Sequence, residues 1–183
     1  MLSVRLLLAI CHIHGLDSKA IDFVLAFPQA DLDIDIWMEF PEGMVPDNDE
    51  DNKGKYFLKL NKSLYGLKQA SHNWYNKLKQ AMIDRDFKPS KIDPCIFMKS
   101  GVIMLVYVDD CIIISDSTMK IDYLIYTLQN VSENFFLTVE DTIDKFLGVN
   151  IENIDDNKYE LSQPFLIERL INLLKKDFDI KPK

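Results

Sequence analysis

The sequence predicts an α+β fold built on an antiparallel sheet, on three observations. Two short apolar runs, Val102-Ile103-Met104-Leu105-Val106 and Cys111-Ile112-Ile113-Ile114, flank a pair of adjacent acids and read as the arms of a hairpin with carboxylates at its tip. Other strand-length runs are separated by short turns rather than by crossover helices. Between them stand stretches with apolar residues at helical spacing, notably 71–85 and 117–130.

Taken in order, residues 2–14 place Val4, Leu7, Leu8 and Cys11 on one helical face, and Gly15 suits the helix end. Residues 20–27 read as a buried strand with Asp22 near its start. Residues 34–40 alternate Ile34, Ile36 and Met38 against Asp35, Trp37 and Glu39, and Pro41-Glu42-Gly43 ends this extended piece as a turn. The run Asp47-Asn48-Asp49-Glu50-Asp51-Asn52 has the alternating acids of a calcium loop, but Asn52 stands where Gly is needed and Leu58 where Glu is needed. It reads as a solvated surface loop. Residues 56–60 form a strand, and 71–85 a helix with Trp74, Leu78, Ala81 and Met82 inward. A turn at 90–94 leads into a strand at 95–98, then the hairpin, then a helix at 117–130 with Ile121, Leu124, Ile125 and Leu128 inward. Residues 146–151 and 159–161 are closing strands, and Pro164 opens a last helix. One domain is expected, and the unfinished tail at 178–183 suggests a segment of something longer.

The 183 residues, 48% of them hydrophobic, support a sizeable core. A formal charge of −8, from 29 acids against 21 bases, gives no net attraction for phosphate. A chain of this balance that acts on nucleic acid needs a local basic surface, divalent metal or further basic domains. Three scattered cysteines, Cys11, Cys95 and Cys111, match neither a disulfide framework nor a zinc site. No run approaches the ~20 residues of a membrane span, so an intracellular chain without a membrane partner is expected.

The chemistry centres on Tyr107-Val108-Asp109-Asp110. Burying two carboxylates without partners costs on the order of several kcal/mol, so a fold that places them together is expected to hold metal or another cation. A two-metal nucleotidyl-transfer site needs acids from at least two elements, around ions roughly 3.5–4 Å apart. Asp22, on a buried strand, is the best third acid; Asp17, Asp31, Asp33 and Asp35 compete from turns or half-exposed positions.

Five segments in order now carry a resemblance. They are Ile21-Asp22-Phe23-Val24-Leu25-Ala26-Phe27, Ile36-Trp37-Met38-Glu39-Phe40-Pro41-Glu42-Gly43, Ser63-Leu64-Tyr65-Gly66-Leu67-Lys68-Gln69-Ala70-Ser71 with Trp74-Tyr75, Asp93-Pro94-Cys95-Ile96-Phe97 leading to Tyr107-Val108-Asp109-Asp110, and Phe146-Leu147-Gly148-Val149. Together they resemble the reverse transcriptase of copia-type long-terminal-repeat retrotransposons. The resemblance implies a polymerase palm-type antiparallel sheet packed on helices, with the fingers missing and the thumb incomplete. Residues 1–183 would then be a single palm domain, a fragment of a longer polyprotein. It further implies RNA-directed DNA polymerase activity on an RNA or DNA template with its primer, using deoxynucleoside triphosphates (dNTPs) and two magnesium ions, or manganese in their place.

By the same resemblance Asp22, Asp109 and Asp110 are catalytic and ligate metal, with the backbone at Phe23 helping to grip metal or triphosphate. Phe27 would crowd a 2′-hydroxyl as a sugar gate, or serve as an ordinary core aromatic. Gly66, Lys68 and Gln69 would line the nucleotide pocket, or form the turn that caps the next helix. Phe146, Leu147 and Gly148 would grip the primer. Trp74 and Tyr75 read as core rather than as a base-stacking platform. His72 stands where the family usually has Arg. Implied neighbours are integrase and ribonuclease H domains, and the implied location is a cytoplasmic virus-like particle or the nucleus. The alternative is a decayed, inactive retroelement remnant that serves at most as a folded interaction module.

Overall fold

The computed structural model describes residues 2–41, 44, 56–155 and 158–178. The acidic run at 47–52, the Glu42-Gly43 part of the first turn and the tail beyond 178 lie outside them. The chain opens with helix α1 (Leu2–Ile13), closed by Gly15 at positive φ as the sequence predicts, and enters strand β1 (Asp17–Phe23). A one-turn helix α2 (Ala26–Gln29) follows, then short strands β2 (Trp37–Glu39) and β3 (Phe57–Lys59), which pair with each other. Helix α3 (Ala70–Asp84) leads to β4 (Lys88–Pro89), β5 (Ile96–Lys99), β6 (Val102–Tyr107) and β7 (Asp110–Ser115). Helix α4 (Thr118–Asn130) and strand β8 (Leu137–Glu140) complete the main sheet. A smaller sheet of β9 (Lys145–Phe146), β10 (Val149–Asp155) and β11 (Lys158–Ser162) precedes helix α5 (Pro164–Phe178).

The main sheet runs β4-β5-β6-β7-β1-β8 with every neighbour antiparallel, as the α+β reading expects. Side chains alternate between its faces. Ile21, Phe23, Phe97, Met104, Val106, Cys111 and Ile113 meet Trp74, Leu78 and Met82 of α3 and Ile121, Leu124 and Leu128 of α4. On the opposite face Leu105, Ile112 and Ile114 meet Val4, Leu7, Leu8 and Cys11 of α1, together with Phe146, Val149 and Ile151. The central strands are therefore covered on both sides. That is why β6 and β7 read as unbroken apolar runs instead of the alternation of a one-sided sheet.

Several elements depart from expectation, among them the extended piece at 34–40, which is a strand only over Trp37–Glu39. The first strand ends at Phe23, placing Asp22 near its end rather than its start, because Leu25 takes a left-handed conformation (φ 53°) and turns the chain into α2. Residues 146–151 are not one strand: Leu147 (φ 51°) and Gly148 (φ 73°) reverse the chain between β9 and β10. Strand β8 was not expected, since Leu137 alone of its four residues is buried. Among the described residues no helix is long and apolar enough to cross a membrane.

The ends of α3 and α4 are joined by one side chain. Arg85, 11% exposed, donates to the carbonyls of Ala81 (2.8 Å), Thr127 (2.7 Å) and Val131 (2.7 Å), to the Thr127 hydroxyl (3.2 Å) and to the Glu133 carboxylate (3.3 Å). Arg85→Ala strips donors from these carbonyls and leaves Glu133 without its cation. It is expected to lower unfolding free energy by about 2–4 kcal/mol. Urea unfolding followed by circular dichroism checks this; a loss within ~0.5 kcal/mol contradicts it.

Candidate active site

The β6–β7 register closes on Tyr107 opposite Asp110, leaving Val108 and Asp109 as a two-residue turn. Tight hairpin turns of this length demand positive φ, a conformation that suits Gly or Asn. Here Val108 carries it (φ 58°), which is costly for a β-branched residue. Neighbours hold the turn in place. The Trp74 indole N–H donates to the Val108 carbonyl at 2.7 Å, and the Phe23 amide donates to the Asp109 carbonyl at 2.9 Å.

The second bond also sets the spacing of the acids. Phe23 and Asp109 form a hydrogen-bonded pair, so the adjoining Asp22–Asp110 pair is of the non-hydrogen-bonded kind, with Cα atoms about 4.5 Å apart and side chains on one face. Asp22 and Asp110 therefore stand side by side, with Asp109 at the turn beside them. The Phe23 N–H is committed to the Asp109 carbonyl, and in an antiparallel strand the Phe23 carbonyl points toward the same turn.

Electrostatics mark the same place. Desolvation first, then the negative charges of Asp109 and Glu140, raise the pKa of Asp22 above its usual range. Desolvation followed by Asp22, Asp109 and Glu140 raises that of Asp110. No Lys or Arg among the described residues forms an ion pair with any of the three aspartates. Among those residues no three Asp, Glu, His or Cys side chains gather as a ready-made metal cage. The donor set is nonetheless all oxygen, open to solvent and short of positive charge. That fits magnesium, which is commonly held by one or two carboxylates with water and substrate phosphates completing its shell.

The residues assigned to the nucleotide pocket are only partly drawn together. Phe27 lies on α2, half-buried, with its ring 4.6 Å from that of Tyr65 and tilted by 42°. The Tyr65 hydroxyl reaches toward the Asp109 carboxylate at 3.5 Å, at the limit of a hydrogen bond. Phe27, Tyr65 and Asp109 thus form a continuous wall. Gly66 follows at φ 94°, a backbone conformation that favours Gly. Lys68 is exposed, and no ion pair joins it to the carboxylates. Gln69 occupies the N-cap of α3 through its backbone, and its side chain makes no capping bond.

Residues 146–148 stand on the acid-bearing side of the sheet. Phe146 packs in the cluster of Leu105 and Ile112, whose side chains share a face with Asp110, while Leu147 and Gly148 form the turn beyond it. Trp74 is 2% exposed, as a core residue should be, and Tyr75 is partly buried against the same core. His72 is exposed and hydrogen-bonded to Asn76 at 2.9 Å.

Sequence reasoning missed three participants. Tyr65 lies inside a quoted motif, but its contact with Asp109 spans 44 residues. Glu140 adds a fourth negative charge from the unexpected strand β8. Gln29 clamps the loop before that strand: its amide donates to the carbonyls of Val24 (2.7 Å) and Phe136 (2.8 Å), and its oxygen accepts from the Phe136 N–H (3.0 Å).

The raised pKa values carry a sign. Folded Asp22 and Asp110 keep their protons to higher pH than the unfolded chain does. Their contribution to stability is therefore greatest below the ordinary carboxylate value of about 3.9 and falls as pH rises through the raised folded values. In metal-free buffer Asp110→Asn is expected to raise stability at pH 7 by about 0.2–1 kcal/mol, the scale of a like-charge cross-strand pair. The gain should vanish near pH 4, and urea midpoints at the two pH values measure it.

Comparison with known proteins places this geometry in a family. Residues 1–180 match the family described as reverse transcriptase (RNA-dependent DNA polymerase). The chain is 34% identical over 178 residues to the Retrovirus-related Pol polyprotein from transposon TNT 1-94 of Nicotiana tabacum, covering 93% of this chain and 13% of that protein. It is 32% identical over 173 residues to the corresponding polyprotein from transposon RE1 of Arabidopsis thaliana, covering 92% and 11%. A 73-residue stretch is 37% identical to the Transposon Ty1-NL2 Gag-Pol polyprotein of Saccharomyces cerevisiae, covering 39% of this chain and 4% of that protein. The chain thus spans little more than a tenth of the length of the first two relatives. With a palm-type antiparallel sheet and a match over nearly its whole length, the chain belongs to the reverse transcriptase (RNA-dependent DNA polymerase) family.

Proposed function

We propose that this chain is the palm portion of an RNA-directed DNA polymerase, part of a copia-type Pol polyprotein, that extends a primer with dNTPs on an RNA or DNA template. The observation that carries this reading is the pairing of Asp22 with Asp110 across β1 and β7, Asp109 beside them, with no ion pair to any of the three among the described residues. Two divalent ions, magnesium or manganese, would when bound lower the pKa of the primer 3′-hydroxyl and neutralise the triphosphate and its leaving pyrophosphate.

The protein's part is positioning. Asp22, Asp109 and Asp110 supply fixed carboxylate oxygens from two elements, and the Phe23 carbonyl adds a backbone oxygen at the same edge. The Phe27 and Tyr65 rings wall the pocket next to Asp109, where the Phe27 face would exclude a ribose 2′-hydroxyl. Gly66 admits close approach to the chain, with Lys68 and Gln69 offering donors to triphosphate or template. Phe146, Leu147 and Gly148 would seat the primer terminus on the acid-bearing face. Phosphate contacts beyond these would fall to other domains of the polyprotein, among which integrase and ribonuclease H are expected.

Asp109→Asn in a protein carrying this chain with its flanking Pol sequence is expected to reduce magnesium-dependent primer extension by at least ~1000-fold, since metal-ion stabilisation is worth several kcal/mol. Extension at the native rate would overturn the assignment. Phe27→Ala in the same protein should retain dNTP incorporation and gain ribonucleotide incorporation, read from single-nucleotide addition on a gel. Primer extension by the chain alone, run beside the flanked protein, separates the polymerase reading from that of an inactive remnant, for which neither protein extends.

A further inference from the structure

Trp74 would ordinarily be counted as core filling, yet its polar atom has a specific task. It is the largest fully buried side chain. Its N–H emerges at one place, the carbonyl of Val108, at 2.7 Å. Val108 is the turn residue held at φ 58°, where a β-branched side chain is least comfortable. A turn strained in this way persists only when its surroundings over-determine it. The indole also packs edge-on to Phe23, with centroids 5.0 Å apart, and Phe23 donates its amide to Asp109 at 2.9 Å. Phe135 closes the arrangement, 5.4 Å from Phe23 and 5.8 Å from Trp74. One side chain on α3 therefore touches both elements that present acids: β1 beside Asp22, and the turn that carries Asp109.

We propose that Trp74 is a positioning residue of this site, its indole N–H holding the Val108–Asp109 turn against β1 so that Asp109 keeps its place beside the Asp22–Asp110 pair. The inference rests on the polymerase reading for its purpose, and on the hydrogen bond and ring contacts for its substance. Trp74 reaches no reacting atom and acts through the turn. Without the N–H, the strained turn would relax and the Phe23–Asp109 bond would open more often.

The test uses the full 183-residue chain with two substitutions. Trp74→Phe removes the N–H and some volume. Trp74→benzothienylalanine removes the N–H and keeps the bicyclic shape. Hydrogen exchange of the Phe23 amide, followed by NMR with Ile21 on the same strand as internal reference, reports the turn directly. Both variants should exchange the Phe23 amide about tenfold faster while Ile21 is unchanged, the scale of one net hydrogen bond. Their half-saturating manganese concentration, from water-proton relaxation, should rise several-fold. Faster exchange in Trp74→Phe alone overturns the proposal, because volume and not the N–H would then be at work. So does unchanged Phe23 exchange, equal acceleration of Ile21, or native manganese affinity in both variants. If the native chain shows no manganese binding that Asp109→Asn abolishes, the polymerase reading loses its support. The Phe23 exchange then decides the role of Trp74 by itself.

Discussion

The structure turns on the register between β1 and β7. Pairing Asp22 with Asp110 puts two like charges about 4.5 Å apart at the backbone, an arrangement that sheets ordinarily avoid. What enforces it is the apolar pattern behind the acids. Ile21 and Phe23 must face α3 and α4, while Ile112 and Ile114 must face α1. A slip of one residue would drive Asp22 into the layer that holds Trp74 and Met104, and would turn Phe23 out of it. The double-sided core thus holds the carboxylates together against their own repulsion, and the helices on both faces are part of that constraint.

Much of this was legible in the residues. The hairpin, the helices α3 and α4 and the inward faces of α1 follow from apolar spacing alone, because each buries a contiguous face. The acids could be nominated because a carboxylate amid β-branched residues is rarely neutral in meaning. Local backbone geometry was less legible. Leu25 and Leu147 both adopt left-handed conformations that their type gives no reason to expect, so the apolar pattern alone carries one strand on to 27 and runs another unbroken from 146 to 151. Strand β8 is an edge strand with one buried residue, too weak a pattern to register. Long-range polar contacts such as Tyr65 to Asp109, or Trp74 to Val108, leave no trace in composition at all.

The acidic balance is also clearer in three dimensions. Several of the lysines are spent on nearby acids: Lys19 on Asp122 and Asp141, Lys59 on Asp35, Lys62 on Asp31 and Lys120 on Asp116. The exposed pairs among them contribute little stability, but all of them quench positive potential that phosphate would otherwise feel. The surface is therefore poorer in available cation than the lysine count alone suggests.

Gln29 has a mechanical meaning as well as a structural one. Its single amide engages both the N–H and the carbonyl of Phe136 while also holding the Val24 carbonyl, much as one base edge reads another. The Lys77 ammonium meanwhile grips the Gln29 carbonyl from α3 at 2.7 Å. Helix α2, the loop entering the outermost strand and the first turns of α3 are thereby bolted into one plate. Widening the space beside Phe27 by moving α2 therefore means carrying the rim of the sheet along or breaking several hydrogen bonds at once.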